Sequence, residues 1–268
     1  MRILVTFAVE AEFAPWRTRH GFKRHEVRIP QLPLDRSFYE VYEARVAGTA
    51  VDVLLTGIGW EDLFCNVAHK ALRDLLKRKP DFCVSTGLAG GLNREFHSGD
   101  IIAASQLILR EGGGRVLSNK NLLKVAESCG ARIADTLITE KHIVSEASSK
   151  IAMSKFGDFV DMESYHILQV VTGSQIPAIA VRGISDAADF EIPVDFNKVL
   201  ERDGTLRKRQ LFKELARHPL KITGLILFGL QSNNAAHLLA DFLDHFIASL
   251  DDPDGRVAAS AYGEVAAR

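Results

Sequence analysis

Short apolar runs alternate with longer amphipathic stretches along this chain, the pattern of strands interleaved with helices. Ile3 to Val9 reads as a buried strand that runs straight into Glu10-Ala11-Glu12. Residues 17–33 are polar and irregular, with two prolines, and read as loop. Phe38 to Val46 and Ala50 to Leu55 predict two strands joined at Gly48. Asn66, Ala68, Ala71, Leu72, Leu75 and Leu76 give one small-and-apolar face to a helix from about Trp60 to Lys77. Phe82 to Ser85 is a further strand, entering the most glycine-rich loop of the chain, Thr86 to Leu92. Ser98-Gly99-Asp100 turns into a strand from Ile101 to Leu109, and Glu111 to Gly114 reads as a flexible tip. A helix over Leu122 to Cys129 and a strand over Ile133 to Thr139 follow. The polar segment Glu140 to Lys150 reads as a loop that closes over a ligand.

Ile167, Leu168, Val170 and Val171 suit a helix packed on a sheet, which Ile176-Pro177 ends. Ala178 to Val181 is short, apolar and partly β-branched, as in a strand covered on both faces. Phe190 to Phe196 reads as a second lid. Arg207 to His218 and Leu220 to Leu250 predict helices with apolar stripes, and residues 251–268 have the composition of a disordered tail. No repeat or linker divides the chain, so it reads as one domain over residues 1–250, with 200–250 as a helical extension.

Composition narrows the function. The 268 residues carry a formal net charge of -1, which argues against nucleic acid as the partner, since phosphate binding needs a basic surface. Cys65, Cys83 and Cys129 share no metal-ligand spacing and the nine histidines form no ligand pattern, so no metal is expected. His142, in the loop over the ligand, is the one histidine of interest, and its simplest reading is a surface residue. Gly57-Ile58-Gly59 lacks the third glycine of a dinucleotide fingerprint, so no nicotinamide or other cofactor is expected. The N-terminal apolar run is too short and too soon acidic for a secretory signal, and no run is long enough to span a bilayer. A reduced, cytoplasmic protein is the expectation.

The chemistry lies at strand ends, outside which open α/β sheets bind ligands. Glu12 follows the first strand; Glu163 and Asp186 follow two later ones. Each has an ordinary reading, as the acidic first turn of a helix for Glu12 or a helix N-cap for Asp186. The pairing of Glu163 with Asp186 favours a site. The glycine loop reads either as a tight turn or as backbone on which a flat ligand lies.

Six segments occur in a telling order: Val9-Glu10-Ala11-Glu12, Thr56-Gly57-Ile58-Gly59, Thr86 to Gly91, Ser98-Gly99-Asp100, Asp161-Met162-Glu163 and Ile184 to Asp189. In that order the chain resembles the purine nucleoside phosphorylase superfamily. It is most similar to the hydrolase branch, the methylthioadenosine/S-adenosylhomocysteine nucleosidases, over roughly residues 1–200. The resemblance implies an α/β fold, three layers α/β/α around a central twisted mixed sheet, in a homodimer that takes a small-molecule nucleoside. It implies Asp186 as the acid that protonates the purine and Glu12 as the group that activates water. Glu163 would hold the ribose hydroxyls, with Met162 packed on the sugar. Ala89, Gly90, Ile143 and Val144 would border the base, with Ser185 beside Asp186, and Val9, Ile58 and Phe196 would line the pocket for the 5′ substituent. The physics agrees: breaking an N-glycosidic bond leaves a cationic sugar and an anionic base, and so needs two acidic groups in opposite protonation states. Burial of Asp186 would hold it protonated.

The chain departs from the family pattern at Leu88, where the nucleosidases usually have serine, and in the extension. That extension resembles nucleosidases encoded with hopanoid biosynthesis, which act on a lipid-linked adenosine such as adenosylhopane. A phosphorylase is the alternative, but residues 10–16 and 86–93 contain no arginine for phosphate. A non-catalytic nucleoside-binding protein on the same fold is a third reading, against which the retention of Glu12, Glu163 and Asp186 together argues.

Overall fold

The computed structural model describes residues 1–28, 38–59, 67–199, 207 and 221–250. All but the first residue of the helix expected over Arg207 to His218, the first turns of the one expected from Trp60, and the tail 251–268 lie outside them.

Ten strands form one mixed sheet: β1 (Arg2–Phe7), β2 (Lys23–Arg28), β3 (Phe38–Val46), β4 (Thr49–Leu55), β5 (Phe82–Gly91), β6 (Ile101–Leu109), β7 (Arg115–Leu117), β8 (Arg132–Thr139), β9 (Phe159–Asp161) and β10 (Ala178–Asp186). Their order is β10-β6-β8-β9-β5-β1-β4-β3-β2, with β7 beside β6. β10 also pairs in parallel with β5. The strands β5, β9, β8, β6 and β10 therefore close into a ring, and β1, β4, β3 and β2 extend from it as an open sheet. The helices are α1 (Glu10–His20), α2 (Val67–Leu76), α3 (Lys120–Ser128), α4 (Ala147–Met153), α5 (Ser164–Gly173), α6 (Phe196–Val199) and α7 (Lys221–Leu250).

Alternation along the strands makes the layers. Leu4, Cys83, Ala178 and Ala180 pack with Leu72 and Leu75 of α2 and Ile167 and Leu168 of α5. Their neighbours Ile3, Val5, Val84, Ile179 and Val181 face the other way, against Phe13 and Trp16 of α1, Leu122 and Val125 of α3, and Leu239, Phe242 and Phe246 of α7. The second half of α7 is thus part of the main core rather than an appendage. Asp244 ties it to α1, accepting from Trp16 Nε1 at 2.7 Å and meeting Arg19 at 2.7 Å and His20 at 2.6 Å.

Four local expectations are corrected. Residues 17–20 finish α1, which Gly21 ends with φ +59°, and Lys23–Arg28 is an edge strand whose charges left no apolar alternation to read. The glycine run 86–91 is strand, not loop, because β10 pairs along it from Thr86 to Gly90 and β9 takes up its end. The tip at 111–114 is the turn of a β6–β7 hairpin. The segment 147–153 is helix α4, which buries Lys150 and Met153.

Candidate active site

The ends of β1, β5, β9 and β10 meet α1, α6 and α7 around a cavity of about 580 Å³. All twelve side chains singled out from the sequence line it: Glu12, Glu163, Asp186, Ser185, Met162, Ala89, Gly90, Ile143, Val144, Val9, Ile58 and Phe196. His142 joins them from an exposed position at the mouth.

Glu12 sits in the acidic first turn of α1 and also lines the cavity. As the third residue of α1 its Oε2 accepts the backbone N–H of Ala8 at 3.1 Å, and its Oε1 reaches across to accept Leu88 N–H at 2.9 Å. It keeps part of its surface open to the cavity. Burial raises its pKa above the usual carboxylate range, while the Arg182 guanidinium and the backbone N–H groups pull it back. Gly87 explains the glycine between β5 and these groups. Its φ is +138°, and a Cβ there would stand 2.5 Å from Arg182 Nη1 and 2.7 Å from Glu12 Oε2.

Arg182 was not singled out from the sequence, where it is one polar residue inside an apolar run. It is 1% exposed, beneath the cavity. Nη1 donates to Thr86 O at 2.6 Å, and Nη2 to Asp161 Oδ2 at 2.5 Å and Ser164 Oγ at 2.7 Å. Glu163, the N-cap residue of α5, lies 3.9 Å from the same Nη2 and accepts Gly59 N–H at 2.8 Å. The glycine turn at Gly57 and Gly59, with φ +80° and +77°, therefore seats a carboxylate of the protein itself. Burial first, and the neighbouring Asp161 second, push Glu163 up to about 8 against the pull of Arg182.

Asp186 ends β10. The register with β5 slips between Ile184 and Asp186, so that the neighbours Ser185 and Asp186 both face the cavity. Ser185 Oγ lies 2.5 Å from Asp186 Oδ1 and 3.2 Å from Ala89 O. Asp186 is 2% exposed, and burial raises its pKa as expected. Lys150, whose Nζ pairs with Asp186 Oδ2, opposes that shift and pulls the pKa part of the way back down. Lys150 lies in a stretch that read as a polar loop, and only the register of α4 shows it to face inward.

The lining chemistry is asymmetric. Four carboxylates, Glu12, Asp161, Glu163 and Asp186, and no arginine or lysine, stand among the described lining residues. The opposite wall is apolar: Ile192 and Phe196 with Leu225 and Phe228 from the first half of α7. Ser232 and Asn233 complete that side.

The sequence and the fold have counterparts among known proteins. Residues 2–215 match the sequence profile of the phosphorylase superfamily. The chain belongs to that superfamily. Over 185 residues it is 27% identical to a 5′-methylthioadenosine/S-adenosylhomocysteine nucleosidase of Glaesserella parasuis, covering 60% of this chain and 78% of that one. A nucleosidase of the same name from a Geobacillus species is 25% identical over 225 residues, 75% of this chain and 92% of the relative. Among solved structures, the Neisseria meningitidis nucleosidase in complex with methylthio-immucillin-A shares the fold with a TM-score of 0.67 at 19% identity. It aligns over 92% of this superfamily member and 99% of its own chain. A futalosine hydrolase mutant of Helicobacter pylori shares it with a TM-score of 0.65 at 15% identity, over 92% and 98% of the two chains.

Proposed function

We propose that this chain is a nucleosidase that hydrolyses the N-glycosidic bond of an adenine nucleoside carrying an apolar 5′ substituent. The observation that carries the reading is the gathering of Glu12, Glu163 and Asp186 on one cavity with an apolar opposite wall. The two sequence relatives, both 5′-methylthioadenosine/S-adenosylhomocysteine nucleosidases, supply the nucleoside and the adenine.

In this reaction the bond from C1′ to the purine nitrogen breaks with its electron pair leaving on the base. Asp186 delivers a proton to the departing ring, and the ribosyl cation collapses onto water whose proton passes to Glu12. A raised pKa makes Glu12 a stronger base once ionised, and its backbone donors favour that ionised form. Glu163 holds the ribose hydroxyls with the oxygen that Gly59 leaves open, and Met162 packs on the sugar. Ala89, Gly90, Ile143 and Val144 border the base. Val9, Ile58, Phe196, Leu225 and Phe228 surround the 5′ group, an apolar lining that suits an apolar substituent.

Water rather than phosphate is the acceptor. A phosphate dianion would enter beside Glu12, Asp161 and Glu163, and Arg182 already spends both terminal nitrogens on protein oxygens. The test is adenine release from methylthioadenosine with and without inorganic phosphate. Equal rates and a free ribosyl product are expected; ribose-1-phosphate as the main product would move the chain to the phosphorolytic branch.

A further inference from the structure

The acid of this site is not a lone carboxyl. Lys150 is completely buried, and its Nζ meets three acceptors: Asp186 Oδ2, Ala187 O and Phe190 O, the last two at 3.2 Å and 2.8 Å. Three acceptors match the three N–H bonds of an ammonium, so the geometry holds Lys150 charged. Asp186 accepts from the Lys150 ammonium on Oδ2 and meets the Ser185 hydroxyl on Oδ1, contacts that favour the carboxylate against the opposing effect of burial. An ionised Asp186 has no proton of its own to give.

We propose that Lys150 and Asp186 act as one acid, in which Lys150 holds Asp186 ionised in the free enzyme and supplies the proton that reaches the leaving base. Lys150 is thus a positioning residue that acts through Asp186, and the assignment rests on the reading of Asp186 given above. As the glycosidic bond breaks, the base takes a proton from Asp186 and Asp186 takes one from the Lys150 ammonium. The pair ends as carboxylate and neutral amine, and the proton that water gave to Glu12 restores the ammonium through solvent. Ser185 suits this exchange, because its hydroxyl lies within reach of both Asp186 Oδ1 and Ala89 O and can turn from one to the other.

The charged surroundings leave the pair to itself. Beneath the cavity Arg182 engages Asp161 and stands beside Glu12 and Glu163. Arg110, at the end of α4, pairs with Glu140 while touching Met153. Glu146 opens α4, and His142 sits at the mouth of the cavity.

The experiment compares Lys150→Met, Lys150→Arg and Asp186→Asn, with kcat/KM for methylthioadenosine followed from about pH 5.5 to about pH 8.5. In the Met variant Asp186 must carry its own proton. It is expected to lose at least about tenfold near pH 8.5 and to recover to within about threefold of the parent near pH 5.5. Arginine keeps the positive charge but cannot give up a proton, so Lys150→Arg is expected to lose about 10²-fold or more across the whole range. A Met variant that loses the same factor at every pH, or nothing at all, would overturn the proposal. An Arg variant with parental rates would do the same, leaving Lys150 a mere counter-charge. Should the Met variant not fold, Lys150→Gln takes its place with the same expectation. Asp186→Asn separates the two ideas: parental turnover there would remove Asp186 as the acid, whereas its inactivity beside an unperturbed Lys150 series would remove only the role of Lys150.

Discussion

Asp186→Asn should damage activity and stability by separable routes. An amide cannot protonate the leaving base, and loss of general acid catalysis is worth about 10²–10⁴-fold in kcat. Stability falls because the change leaves the Lys150 ammonium in the interior with two carbonyl oxygens and an amide oxygen but no negative charge. Removing one partner of a buried ion pair costs about 3–5 kcal/mol. In a chain of this size each kcal/mol moves the melting temperature by roughly 2–4 °C, so a fall of about 6–20 °C is expected. Lys150→Met added to Asp186→Asn removes the orphaned charge. The double variant should regain most of the melting temperature and none of the turnover, since replacing both members of a buried pair with neutral groups is often neutral or stabilising. Circular dichroism melts and adenine release on the same preparations decide it. A single variant that melts with the parent would refute the buried pair as a stabilising unit, and a double variant that stays as unstable as the single would refute the orphaned charge as the cause.

Glu163→Gln tests the burial of the second carboxyl: because the Glu163 pKa is raised in the folded protein, its stabilising contribution is complete below about pH 4.5 and lost as pH rises through about 8. The Gln variant should therefore gain stability relative to the parent between those values, and a constant difference in melting temperature at pH 5 and pH 8 would contradict the shift. Gly87→Ala should cost about 1–3 kcal/mol for its φ alone and displace Glu12 and Arg182, lowering kcat/KM with little selectivity among substrates; a parental melt with parental kinetics would show that β5 yields there. Along a series of 5′-alkylthio adenosines from methyl to octyl, kcat/KM should climb, each buried methylene contributing about 0.8 kcal/mol, and Phe228→Ala should flatten the climb. A fall beyond the methyl compound would mean that the α7 wall is closed to larger groups.

The sequence was most legible where one residue type had one physical reason to be there. Glu12, Glu163 and Asp186 stood out as carboxylates at the ends of apolar strands, and the cavity gathers all three. The glycines at 57 and 59 were legible as a turn but not as the seat of Glu163, because that contact joins residues more than a hundred positions apart. Lys150 and Arg182 were illegible for a related reason. A basic residue is buried only when a carboxylate waits for it, and which carboxylate waits is decided by how β10 and α4 fold back on the sheet. Strand β2 carries five charged or histidine residues among its six and has no alternation to read, being held by pairing with β3 alone.

The closure of the ring by β10 governs how this protein must be made. β10 hydrogen-bonds to β5 and β6, both synthesised long before it, and the face bearing Ile3, Val84 and Val181, though met by α1 and α3, lacks the cover of α7 until that helix is made. A nascent chain therefore leaves the ribosome with unpaired strand edges and an incompletely covered apolar layer for most of its synthesis, a state prone to aggregation and dependent on chaperones. Chains arrested before Leu239 should be recovered in the insoluble fraction, and soluble, cooperatively melting fragments of that length would show that the ring closes without its last helix.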